Sequence, residues 1–273
     1  MQITHPQLDM LCAIAIDAGR EIMDVYGGET IVATMKDDAS PLTQADLRAD
    51  AVIRRGLQAA LPDVFILSEE STSVRPVGGD IPRMFFLVDP LDGTREFLKR
   101  NGEFTVNIAL IHDGQAVAGV VYAPTLQQMY CAARGLGAWK MEGDQSHARA
   151  VPLKARLGRV GPQGQKLRVI GSRSHGGDAL AAWLAQLSQP YEFVAAGSSL
   201  KFCRIAEGEA DIYPRHGPTS QWDTAAGQAV LQEAGGCVLD TEGKPLRYGL
   251  DMPVLNSHFV ALADPTMRYP SIA

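Results

Sequence analysis

The hydrophobic period of this chain changes at Val64, and that change limits the architecture more than any single motif does. Before it, Leu8, Leu11, Cys12, Ala15, Ala18, Gly19 and Ile22 recur at three- and four-residue steps, one apolar stripe along a helix that Gly27-Gly28 ends. A second helix is expected over residues 44–60, with Thr43 as N-cap, Asp46 as its capping-box acid and Pro62 as the stop. The polar stretch 35–41 between them reads as a turn or short hairpin. After the change, 64–67 and 84–88 are short unbroken apolar runs, the pattern of strands buried on both faces. Segments 104–111 and 115–122 flank Asp113-Gly114, a strong hairpin signal, and 128–132 and 138–141 bracket a Gly-rich turn. The first half, residues 1–152, therefore reads as two helices against a largely antiparallel sheet.

Residues 153–165 carry Gly, Pro and basic side chains without a period and read as a connecting loop. In the second half, 166–273, the two patterns alternate: strands at 167–171, 192–195, 211–213, 237–239 and 259–263, and helices at 179–187, 199–207 and 223–233. This is α/β material. With 46% hydrophobic and 21% charged residues, a chain of 273 residues can bury a sizeable core. The balance of 25 Lys and Arg against 31 Asp and Glu, without a segregated basic face, argues against a nucleic-acid polymer as partner. No apolar run approaches the roughly 20 residues of a membrane-spanning helix. The first residues lack a secretory pattern, so the cytoplasm is the expected compartment. Cys12, Cys131, Cys203 and Cys237 lie far apart and are expected to be buried thiols, with no disulfide framework or zinc site.

Three acidic clusters fall at expected element ends: Glu69-Glu70, the run Asp89-Pro90-Leu91-Asp92-Gly93-Thr94, and Trp222-Asp223. Pro90 restricts Asp89 to extended geometry and Gly93 permits a tight turn, so Asp89, Asp92 and the Leu91 carbonyl can share one volume. Each cluster alone also reads as turn chemistry or helix capping. Together they are the oxygen-rich set that a hard cation such as Mg²⁺ takes, and a phosphate ester in such a pocket requires the metal to offset repulsion. Gly197-Ser198-Ser199 opens an expected helix whose free N–H groups suit an anion, with Lys201 in its first turn and Arg215 following a strand. Ordinary solvated charge is the other reading of Lys201 and Arg215, and a surface position that of His175. His5, His112, His147, His216 and His258 show no partner pattern.

The motifs SEES (68–71), DPLDGT (89–94) and WDTAAG (222–227), in this order, resemble the Mg²⁺-dependent, lithium-sensitive phosphatases of the inositol monophosphatase superfamily, over nearly the whole chain. The runs KDDASPLTQAD (36–46), DGTREFLKRNGEFTVNIAL, GSRSH (171–175) and GSSLKFCRIAEGEADIYPR (197–215) are similar to its 3′(2′),5′-bisphosphate nucleotidase branch. The resemblance implies a layered αβαβα sandwich. It implies that Glu69, Asp89 and the Leu91 carbonyl hold one Mg²⁺ and that Asp89, Asp92 and Asp223 hold a second. Catalysis would rest on Glu69 and Thr94, which position the attacking water, and on Asp46, which polarises Thr94; a third ion near Asp46 stays open. The implied substrate contacts are Glu69, Leu91, Asp92, Gly93, Thr94, Ser172, Arg173, His175, Gly197, Ser198, Ser199, Lys201, Arg215 and Asp223. Implied too are hydrolysis of the 3′-phosphate of adenosine 3′,5′-bisphosphate or 3′-phosphoadenylyl sulfate, a role in sulfate assimilation, and peripheral association with the inner membrane. The rivals are a broader inositol or sugar phosphatase and a noncatalytic metal or nucleotide sensor.

Overall fold

A computed structural model describes residues 3–29, 31–35, 41–74, 81–143, 151–155, 166–172 and 177–272, without side chains at 72–74. In the first half, α1 (His5–Tyr26) is followed by β1 (Ala33–Met35), β2 (Pro41–Thr43) and α2 (Gln44–Ala60). β3 (Phe65–Ser68), β4 (Met84–Asp92), α3 (Thr94–Leu98), β5 (Thr105–His112), β6 (Gln115–Ala123), β7 (Gln128–Ala133), β8 (Gly137–Glu142) and β9 (Val151–Pro152) complete it. The second half comprises β10 (Leu167–Gly171), α4 (Gly177–Leu184), β11 (Tyr191–Ala195), α5 (Leu200–Ala206), β12 (Ile212–Arg215), α6 (Gln221–Glu233), β13 (Cys237–Asp240) and β14 (Phe259–Leu262).

Among the described residues these strands form a seven-stranded sheet in chain order β3 to β9 and a five-stranded sheet ordered β11-β10-β12-β14-β13. β3 and β4 run parallel and the rest of the larger sheet is antiparallel, as the hairpin signals predict. β1 and β2 pair as the arms of the expected hairpin, whose residues 36–40 lie outside the described ones.

Three apolar clusters set the layers. The stripe of α1 and the buried face of α2 pack on one face of the larger sheet, with Leu11, Ile22 and Ile53 against Phe86, Val106, Ile108 and Val120. Its other face shares a core with α5, α6 and the inner face of the smaller sheet, through Phe85, Leu87, Tyr130, Phe202, Tyr213, Val230 and Phe259. The outer face of the smaller sheet is covered by Trp183 of α4 and by Met267 and Ile272 near the end of the chain. The order is helix, sheet, helix, sheet, helix. Each fully buried Leu, Ile or Phe contributes roughly 1.5–3 kcal/mol, so the middle layer binds the two sheets firmly together. Cys12, Cys131 and Cys203 are buried and Cys237 half-buried, all as free thiols. Among the described residues no helix is long and apolar enough to cross a membrane.

The small residues Ala225-Ala226-Gly227 give α6 a smooth face that allows close packing on its neighbours. Gly227 faces Phe202 of α5, whereas Ala226 and Ala229 press on Gly119 of β6. A Cβ at Gly119 would stand 2.4 Å from the Ala226 carbonyl oxygen and 2.9 Å from the Ala229 Cβ. Gly119→Ala is therefore expected to destabilise by at least about 1–3 kcal/mol, because backbone must move to admit the methyl. The measurement is the urea midpoint at unchanged m-value; an unaltered midpoint would refute this close approach.

Candidate active site

β4 carries the central motif within the strand, and does not end at Val88 as its apolar run suggests. Alternation in a strand would send Asp89 and Asp92, three residues apart, to opposite faces. The register removes that conflict. Asp89 pairs with Asn107 and Asp92 with Thr105, so three steps on β4 oppose two on β5. The extra residue is a bulge, and it returns Asp92 to the face of Asp89. Pro90, which cannot donate to a ladder, sits inside it. Gly93 then takes φ 92°, with a Cβ position only 3.1 Å from the Glu103 carbonyl oxygen, so any side chain would be strained and crowded there. The chain turns directly into the five-residue α3, which starts at Thr94.

Two further acids serve as helix caps and site groups at once. Asp46 Oδ2 accepts from the Thr43 N–H and hydroxyl at 2.7 Å each, closing the expected capping box of α2, while Oδ1 accepts from Thr94 Oγ1 at 3.4 Å. Thr94 Oγ1 also lies 3.2 Å from the Leu91 carbonyl oxygen. Asp223 is the third residue of α6, and its Oδ2 accepts from the Ser220 N–H at 2.9 Å. In both residues the capping reading is realised on Oδ2, and Asp46 Oδ1 is left to meet Thr94.

Glu69, Asp89, Leu91, Asp92, Gly93, Thr94 and Asp223 line one cavity of about 410 Å³ with Ser172, Gly197, Ser198, Lys201 and Arg215. Asp46 stands behind Thr94, outside the lining. Glu69 and Glu70 begin a 3₁₀ segment, Glu69–Val74, and of the two Glu69 lines the cavity. Arg215 ends β12 and does not follow it; its guanidinium donates to the carbonyls of Gly217 (3.2 Å) and Pro218 (2.8 Å). Lys201 is buried in the first turn of α5, donates to the Ser198 carbonyl at 2.6 Å and stands over the Tyr213 ring. Ser199 is buried outside the lining, against Asp92. Arg173, His175 and His147 lie outside the described residues. Sequence reasoning missed Arg95, Glu96 and Tyr213 in the lining and Thr105 and Asn107 behind Asp92. Polar Asn107 inside the apolar run 104–111 was the available signal.

Acids and cations line the cavity together. Burial first, then the charges of Glu69, Asp92, Asp223 and Asp46, push the Asp89 carboxyl well above the usual range. Asp223 is raised the same way, by burial and then by Asp92 and Glu69. In the same cavity, burial pushes the Lys201 amine down to about 8. As the side chains stand, no three of the described His, Cys, Asp and Glu side chains close on one point at ligand distance. The donor set nevertheless fits Mg²⁺ by its chemistry: hard carboxylate and carbonyl oxygens whose mutual repulsion a cation relieves. Asp89, Asp92 and Asp223 are each anchored by a single oxygen, and their second oxygens accept nothing from the described residues.

The chain is similar to known proteins over nearly its whole length. A bisphosphate nucleotidase from Salmonella typhimurium, 3′(2′),5′-bisphosphate nucleotidase CysQ, is 47% identical over 254 residues, 92% of this chain and 98% of that protein. The Escherichia coli protein of the same name is 46% identical over 257 residues, with the same two coverages. The crystal structure of CysQ from Bacteroides thetaiotaomicron, titled a bacterial member of the inositol monophosphatase family, superposes with a TM-score of 0.76 at 35% identity, covering 93% of this chain and 95% of that one. The profile of the inositol monophosphatase family matches residues 4–266, and the chain belongs to that family.

Proposed function

We propose that this protein is a Mg²⁺-dependent phosphatase that removes the 3′-phosphate of adenosine 3′,5′-bisphosphate, giving AMP and phosphate, and that 3′-phosphoadenylyl sulfate, which bears the same 3′-phosphate, is a second substrate. Both place the enzyme in sulfate assimilation, and its relatives are named 3′(2′),5′-bisphosphate nucleotidases. The observation that carries the reading is one cavity lined both by the carboxylates Glu69, Asp89, Asp92 and Asp223 and by buried Lys201 and Arg215. A phosphomonoester with a neutral ring needs only the acids and their metal ions. A bisphosphate has a second phosphate for the two cations.

Glu69, Asp89 and the Leu91 carbonyl would hold one ion and Asp89, Asp92 and Asp223 a second, with Asp46 close enough to Thr94 to serve a third. Bound Mg²⁺ supplies positive charge to the phosphate oxygens and acidifies water. Thr94 holds that water by geometry of its own: its hydroxyl donates toward Asp46 Oδ1 or the Leu91 carbonyl, which leaves Oγ1 lone pairs to accept the water's proton. A threonine hydroxyl is a weak base alone, and Asp46 is the carboxylate that receives the proton at the end of the relay. Its Oδ2 stays on Thr43, so the carboxylate keeps its orientation throughout. Glu69 lines the same cavity and would complete the water site. The N–H groups of Gly93 and Thr94, Ser172, Gly197 and Ser198 are the remaining contacts for the substrate's phosphates and sugar, and Arg173 and His175 belong to the same proposed set.

Steady-state kinetics should give adenosine 3′,5′-bisphosphate a kcat/KM at least about 100-fold above inositol 1-phosphate, since two charge-assisted contacts of roughly 1.5 kcal/mol or more are lost with the latter. A preference for inositol 1-phosphate would overturn the assignment. Thr94→Ala should lower kcat by about 10²–10⁴ with KM nearly constant, the usual range for losing a positioned proton acceptor; phosphate release at the parental rate would refute the relay. Lys201 carries its charge below a pKa of about 8 and loses it above, and only the charged amine attracts the substrate anion. Accordingly kcat/KM for the bisphosphate should decline as pH rises through about 8, and that limb should vanish in Lys201→Met.

A further inference from the structure

We infer that Ser199 and Asn107 form a buried clamp that positions Asp92 and Asp223 relative to each other, and that Ser199 is a positioning residue for the second metal site, not a contact for the substrate. The inference rests on the metal assignment of the proposed function.

The geometry is unusually complete for two neutral side chains. Ser199 is the N-cap of α5, and its N–H donates to Asp92 Oδ2 at 2.6 Å. Its hydroxyl lies 2.9 Å from the same oxygen and 2.6 Å from the backbone carbonyl of Asp223. One short side chain thus touches both acids of the pair, one on the larger sheet and one on α6. Asn107 Nδ2 donates to Ser199 Oγ at 2.8 Å and to Asp92 Oδ2 at 3.3 Å. The amide is itself oriented, because its Oδ1 accepts from the Thr105 hydroxyl at 3.0 Å. Asn107 and Ser199 are each only 1% exposed and neither lines the cavity, so no substrate atom reaches them.

The chemistry of the residues explains their types. The N–H that a free helix start would offer to a phosphate is already committed to Asp92. A lysine in place of Asn107 would neutralise the carboxylate intended for the cation, and an aspartate would add one more repelling charge. A neutral amide satisfies Asp92 Oδ2 and Ser199 Oγ together while leaving the charge of the acid set unchanged. Asp92 Oδ1 stays turned from the clamp. Partners of this kind, which orient a metal ligand from behind, change metal affinity by about 10- to 100-fold when removed.

The test is Mg²⁺ binding to the full chain without nucleotide, by isothermal titration calorimetry, for Ser199→Ala and Asn107→Ser beside the parent. Circular dichroism establishes which variants are folded, and either one alone decides the matter. The expected result is a Mg²⁺ Kd raised by about 10- to 100-fold, a matching rise in the Mg²⁺ concentration for half-maximal activity, and an unchanged KM for adenosine 3′,5′-bisphosphate at saturating Mg²⁺. Unaltered Mg²⁺ binding overturns the clamp, and a raised KM at saturating Mg²⁺ returns Ser199 to the substrate contacts. Since binding is read without nucleotide, a wrong substrate assignment would leave this result standing, and failure of the clamp would leave the bisphosphate preference intact.

Discussion

Repulsion among Glu69, Asp89, Asp92 and Asp223 around one cavity is the constraint on which the rest of the structure depends, because burial strengthens it and the nearby Lys201 and Arg215 leave Asp89 and Asp223 still raised. The fold answers by giving three of these acids a neutral partner on one oxygen. Asp223 is tied to the start of its own helix, Asp89 to the Leu91 N–H, and Asp92 to Ser199 and Asn107. These bonds hold the side chains in place without discharging them. The acidic wall keeps its appetite for cations, and the cost shows in the raised protonation of Asp89 and Asp223.

This arrangement also explains the position of the middle helical layer. Asp89 and Asp92 come from the larger sheet, whereas Asp223, Lys201 and Arg215 come from the second half of the chain. A cavity lined by groups from both halves therefore requires the two halves to be held in one orientation. The apolar core shared by Phe85, Tyr130, Phe202 and Phe259 does this, and the close approach of α6 to Gly119 sets the distance. Packing far from the chemistry thus determines where Asp223 stands.

Much of the site was readable because local rules and function coincided. Thr43 and Asp46 announce a capping box, and the box exists; Gly93 announces a turn that needs positive φ, and it has one. Other features were opaque for equally physical reasons. The run 84–88 loses its apolar character at Asp89, so period alone ended the strand there, although the ladder continues to Asp92 through the bulge. Ser199 looked like an anion contact because a helix start is one in isolation. What occupies its N–H is a carboxylate more than a hundred residues away, which no local pattern encodes.

The amino-acid sequence by itself determined the elements, their order and the residue types at the site, since period, caps and turns act within a few residues and the three acidic motifs are contiguous. Tertiary structure alone decided which face Asp92 takes, which oxygen of Asp89, Asp92 and Asp223 is anchored, and which cations share the cavity with the acids. Those choices depend on register between strands and on contacts between distant segments, and both are settled only when the two sheets close on the helices between them.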